Sequence, residues 1–222
     1  MIYDLFKDGF TPELVVNLLA RLFVLFCVLP IHEFAHALIA TKLGDKTAKL
    51  GGRLTINPLA HLDLMGTLMI LLVGFGYAKP VPVNPRNFKN PKAGMAITAA
   101  AGPLSNLLMA VVYLFFYCLI FYLAQPAAGF LYLLMRFCSI VAQINVSLAV
   151  FNLLPVPPLD GSRIWAIFLP DKAYYKLMQY ERYIVLIVFA ALLFGWLDKP
   201  ILWLSSWVIN LILRLVSLPF GF

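Results

Sequence analysis

Apolar residues along this chain come in long runs separated by short stretches rich in basic residues, glycine or proline. The first run covers about 14–43 and opens at Thr11-Pro12-Glu13, a helix start made of a capping hydroxyl, a proline and an early acid. Further long runs lie at about 93–123, 130–154, 183–197 and 201–218, and a shorter one at 64–77 is broken by Gly66, Gly74 and Gly76. A helix needs about 20 apolar residues to cross the hydrocarbon core of a bilayer. The pattern therefore predicts an all-α polytopic membrane protein of about five to six membrane segments, the piece at 64–77 being short or re-entrant. Two stretches, 50–57 and 79–84, carry glycines or prolines that break helix, and Leu54, Ile56, Val81 and Val83 repeat with a period of two. They predict a small β-element at the mouth of a site, with an edge open to pairing.

Composition turns that pattern into a choice of solvent. Apolar residues make up 63% and charged residues 12% of the chain, against about 25% charged in a soluble domain. A water-soluble fold of 222 residues could not cover that much apolar surface, so one membrane domain over 1–222 is expected. The net charge of +7 sits between the apolar runs, as in loops that face anionic lipid, and no nucleic-acid partner is expected. If 64–77 returns to the side it enters, twelve of the seventeen basic residues share one face: Lys42, Lys46, Lys49, Arg53, Lys79, Arg86, Lys89, Lys92, Arg163, Lys172, Lys176 and Arg182. The positive-inside bias makes that face cytoplasmic and puts the N-terminus outside. Met1 to Phe10 lacks a cleavable signal pattern, so the first helix is expected to be retained. Cys27, Cys118 and Cys138 lie inside apolar runs with no C-x-x-C pair, and read as small hydrophobes.

The chemistry stands within the first run, at His32-Glu33-Phe34-Ala35-His36. Residues four apart on a helix share a face, so both imidazoles can reach one metal ion. Glu33 is placed to reach a water at that metal as a general base without ligating it. Ionisable groups inside a membrane helix are costly enough to mark function. A catalytic zinc site uses three protein ligands and keeps one position open. Two residues could supply the third ligand: His61, in Asn57-Pro-Leu-Ala-His61, and Asp160, in Asn152-Leu-Leu-Pro155-Val-Pro157-Pro158-Leu-Asp160-Gly161. Asp160 is favoured, because the prolines must unwind the backbone just where the carboxylate is delivered beside a membrane span. With His36 about seven residues from Leu43, the metal would sit on the order of 10 Å below the cytoplasmic surface.

These motifs, with Gly102-Pro103-Leu104-Ser105-Asn106 between them, resemble the site-2 proteases, in the compact bacterial branch without PDZ or CBS domains. The resemblance covers nearly the whole chain. It implies one Zn2+ per chain held by His32, His36 and Asp160, Glu33 as base, and transmembrane proteins as substrates. By the same resemblance Asn152 lies near the metal, to position substrate or stabilise the oxyanion. Asn106 reads first as a packing amide in a membrane helix and His61 as a loop anchor; both are also candidates for supporting the site. Arg21, eleven before His32, is expected on the same helix face. The alternative from another class is a membrane transporter of metal ions or protons using the same His/Glu/Asp cluster.

Overall fold

The computed structural model describes residues 11–63, 66, 79–170, 172, 173, 176 and 179–220. Apart from Gly66, the segment 64–77 lies outside these, and so does the expectation that it is re-entrant.

Helix α1 (Pro12–Phe23) begins where Thr11 Oγ1 accepts the Leu14 N–H at 3.3 Å, as the start signal predicts. It runs through a π turn (Val24–Val28) into α2 (Leu29–Lys42), forming one continuous 31-residue rod. The π turn has a local cause. Pro30 has no N–H to give the Phe26 carbonyl, and its ring would press on that carbonyl in a regular helix. The chain widens just ahead of it, with the Leu29 N–H reaching back to the Val24 carbonyl. One inserted residue shifts the helix phase by about 100°. Arg21, which would share the His32 face of an ideal helix, is thereby turned off it and is exposed.

Gly44, at φ +110°, stops α2 in a conformation that side-chain-bearing residues rarely adopt. The loop that follows contains the single turns α3 (Thr47–Leu50) and α4 (Pro58–His61). Helix α5 (Pro91–Ala124) starts where the Asn90 side chain accepts the Ala93 N–H at 3.1 Å. It continues past Pro103 without interruption. Helix α6 (Gly129–Asn152) returns, the chain unwinds over 153–159, and α7 (Asp160–Trp165) begins at the acid itself. Helices α8 (Glu181–Leu193) and α9 (Asp198–Ser217) complete the described fold.

Among the described residues, four segments are long and apolar enough to cross a membrane: Pro12–Lys42, Pro91–Ala124, Gly129–Asn152 and Asp198–Phe220. Five to six were expected, one of them the 64–77 piece, which lies outside the described residues. Helix α8 falls short because its 13 residues span about 20 Å, less than the roughly 30 Å of hydrocarbon. The expected β-element is corrected. Among the described residues no strand is longer than the single bridge residue Leu62. Residues 47–52 close helical turns instead, and Pro80 and Pro82 remove two of the N–H groups a ladder in 79–84 would use.

Helix α5 is the central post, packed on α6, α2, α7 and α9. One apolar cluster joins Ala110, Leu114 and Cys118 of α5 to Ala142, Val146 and Val150 of α6 and Ile212 and Val216 of α9. A second joins Ala20, Val24 and Val28 to Val141 of α6. Alanines at the contacts let the helix backbones approach closely, which is how helices associate where lipid removes any hydrophobic drive between them.

Candidate metal centre

His32 and His36 project from consecutive turns of α2, both buried, with their Nε2 atoms 3.1 Å apart. Asp160, the first residue of α7, brings Oδ2 to 3.4 Å from His32 Nε2 and 3.3 Å from His36 Nε2. Three donor atoms thus form a triangle with sides of 3.1–3.4 Å. A tetrahedral zinc with bonds of about 2.0–2.1 Å has ligand–ligand edges of roughly 3.3–3.4 Å, so the triangle matches one face of that tetrahedron. Two neutral-capable imidazoles and a carboxylate are also the donor chemistry zinc prefers. These three residues are the group suited to a metal among the described residues.

Each ligand candidate is delivered by a definite local cause. His36 Nδ1–H donates to the Thr98 carbonyl of α5 at 2.8 Å, which fixes the ring plane and leaves Nε2 for an ion. Gly102, one turn along α5 from Thr98, forms the floor. A Cβ there would lie 2.6 Å from His32 Nε2 and closer still to His36 Nε2. Asp160 is aimed by the break after α6, where Val156 N–H turns back to the Leu154 carbonyl at 2.8 Å and Leu159 N–H to the Val156 carbonyl at 3.0 Å. Buried Ser162 then closes the first turn of α7, its hydroxyl donating to the Leu159 carbonyl at 2.8 Å. Gly161 fits directly under the end of α6, where a Cβ would collide with the Leu153 and Leu154 carbonyl oxygens. Burial alone would push the Asp160 carboxyl up, but hydrogen bonding to His32 and His36 and their charge hold it well below the usual carboxylate range.

Glu33 follows His32 on α2, is half-buried, and makes no hydrogen bond or ion pair among the described residues. Its carboxylate is therefore free to take a proton. His61 is not brought to the triangle; it is fully buried at the end of α4, where Nε2–H donates to the Thr55 carbonyl at 2.7 Å. Asn152 closes α6, with Nδ2 donating to the Leu148 carbonyl at 3.0 Å. Asn106 is fully buried in α5.

Two parts of the site had no signal in residue type. Thr98 acts through its backbone carbonyl, which every residue possesses. Asp45, just past α2, gathers the loops: its carboxylate accepts from the Thr47 N–H and hydroxyl, the Asn84 N–H at 2.7 Å and Asn87 Nδ2 at 2.7 Å. Arg53 ties the same region together, its Nη1 donating to the carbonyls of Ala60 and Lys79.

Residues 120–196 match the model of Peptidase family M50. The chain is 44% identical over 193 residues to "Putative zinc metalloprotease YwhC" of Bacillus subtilis, covering 86% of this chain and 84% of that protein. It is 32% identical over 136 residues to "Putative zinc metalloprotease Rip2" of Mycolicibacterium smegmatis, covering 59% of this chain and 50% of the relative. It is 29% identical over 185 residues to the Mycobacterium tuberculosis protein of the same name, covering 78% and 68%. No solved structure matches the chain. The transporter alternative is not favoured by these relationships. With its apolar helices, the chain is a multi-pass membrane protein. It belongs to the M50 peptidases, the site-2 protease family, and is a zinc metalloprotease.

Proposed function

We propose that this chain is an intramembrane endopeptidase, a single domain over 1–222 that cuts peptide bonds in or near transmembrane segments of membrane proteins. In this reading His32, His36 and Asp160 hold one zinc ion per chain and Glu33 is the general base. The observation that carries it is the donor triangle with sides of 3.1–3.4 Å, two of its corners on a helix apolar enough to cross a membrane, with a carboxylate unpaired among the described residues next in sequence. The clustering of basic residues supports a site nearer the cytoplasmic face.

Zinc bound there would supply Lewis acidity to a water molecule and to the scissile carbonyl. The protein's own residues do the rest. Glu33 accepts the proton of the attacking water on a carboxylate oxygen and returns it to the amide nitrogen as the C–N bond breaks. The Thr98 carbonyl keeps the His36 ring in the tautomer that exposes Nε2. Asn152 donates from the second hydrogen of Nδ2 to the developing oxyanion or to substrate backbone. Buried surroundings strengthen each of these charge interactions, because little water competes with them.

The test uses purified protein in detergent and a single-span model peptide. Wild type should contain about one zinc per chain and cleave, as the ligand set requires. Glu33→Gln should keep the metal and lose cleavage by at least about 10²–10⁴-fold, the usual share of a general base. Full cleavage by Glu33→Gln, or wild-type protein without zinc, would overturn the proposal.

A further inference from the structure

The two imidazoles of the metal centre are not held alike. His36 has both ring nitrogens engaged, Nδ1 on the Thr98 carbonyl and Nε2 toward the triangle. His32 offers Nε2 to the triangle, but its Nδ1 is buried with no hydrogen-bond partner among the described residues. Once Nε2 binds a cation, Nδ1 must carry the ring proton, and a buried N–H without an acceptor costs about 1–3 kcal/mol. Metal-ligating histidines almost always pass that proton to an acceptor.

One side chain on the neighbouring helix has what His32 lacks. Asn106 is fully buried, and among the described residues both its Oδ1 and its Nδ2 are without partners. Native interiors seldom leave such groups unpaired unless they serve a purpose. Helices α2 and α5 run antiparallel here: Asp45 beyond the end of α2 bonds Asn84 and Asn87 ahead of α5, and further in His36 meets Thr98. Gly102 comes next, against both imidazoles, and Asn106 follows one turn or about 6 Å deeper. Side chains on a helix lean toward its N-terminus. His32 therefore leans away from the loop end and Asn106 leans toward it, so the two converge past Gly102. The terminal torsion of asparagine is broad, and a rotation there turns Oδ1 to the imidazole at small cost.

We propose that Asn106 is the positioning residue for His32, its Oδ1 accepting the His32 Nδ1 proton when Nε2 coordinates the ion. This rests on the zinc reading of the site. It also gives a chemical reason for an amide at this point of a membrane helix, where an apolar residue would pack at less cost.

The experiment compares wild type, Asn106→Leu and Asn106→Asp as intact chains in detergent. Zinc affinity is read by competition with a chromophoric chelator, and ligand geometry by the visible spectrum of the cobalt-substituted protein. Asn106→Leu keeps the volume and removes the acceptor; its zinc affinity should fall about 10–100-fold, with an altered cobalt spectrum. Asn106→Asp keeps an acceptor oxygen and should restore both to the wild-type level. Equal zinc affinity in wild type and Asn106→Leu would overturn the role, as would an Asn106→Asp protein that folds but binds zinc weakly. The last comparison stands alone if Asn106→Leu fails to fold. Wild-type protein that binds neither metal overturns the metal centre itself and this role with it, an outcome distinct from tight zinc binding unaffected by Asn106→Leu.

Discussion

Gly102 lies against His36 so closely that the space a Cβ would take is already occupied by the imidazole Nε2. A backbone on α5 thus serves as one wall of the metal centre. Gly102→Ala should push both imidazoles out of the triangle, since the same Cβ would meet His32 as well. The expected result is loss of stoichiometric zinc and at least about a 10²-fold fall in cleavage, as a misplacement near 1 Å can produce. Metal analysis beside circular dichroism checks it; helicity should persist while zinc is lost.

Gly161 is predicted to be nearly as intolerant, for a different reason. A methyl group there would strike the Leu153 and Leu154 carbonyls, which belong to backbone that cannot swing aside. Gly161→Ala should displace α7 and carry Asp160 from the histidines. Zinc affinity should drop while His32 and His36 keep their mutual contact, so a cobalt spectrum lacking the wild-type form is the diagnostic reading.

Removing the metal should also loosen the fold. An ion that binds only the native state adds about 4 kcal/mol at a thousand times its Kd. Chelator treatment should therefore lower the melting temperature of wild type. Asp160→Ala should begin at the lower value and respond little to chelator. A wild-type melt unmoved by chelation would count against a tightly held ion.

Asp45 makes stability of the loop region pH-dependent. Burial acts to raise its carboxyl, but hydrogen bonds from the Thr47 and Asn87 side chains and from the Asn84 and Thr47 backbone outweigh it and hold the group below its ordinary 3.8. A depressed carboxyl contributes fully above the unfolded value, and the contribution is lost as pH falls through the folded one. Wild type should thus lose loop stability only below pH 3.8. Asp45→Asn should lack this acid limb and be weaker by about 1.5–3 kcal/mol near neutral pH, because an amide hydrogen would face donors the carboxylate accepts. Limited proteolysis of the 43–90 region across that range is the measurement.

Much of the site was legible because its chemistry is carried by side chains at short, regular spacing. His32 and His36 are four apart on a helix, and helix geometry alone brings their Nε2 atoms together. The prolines after α6 announce a break, and the break delivers Asp160. The strand expectation at 50–57 and 79–84 did not hold among the described residues. Alternation over four or five residues is a weak signal, and a strand needs a partner with free N–H groups, which Pro80 and Pro82 lack. Arg21 was misplaced because counting residues assumes a uniform helix, and the π turn ahead of Pro30 makes it non-uniform.

Taken alone, the order of residues determined the solvent, the long helices and the candidate metal donors, His32, His36 and one of His61 and Asp160, since hydropathy, helical period and donor chemistry are local properties. Only the tertiary structure decided that Asp160 rather than His61 meets the histidines, that a Thr98 carbonyl orients His36, and that Gly102 leaves the room for both rings. Those outcomes depend on how α2, α5 and α7 pack, and packing distances are set by contacts between residues far apart in the chain.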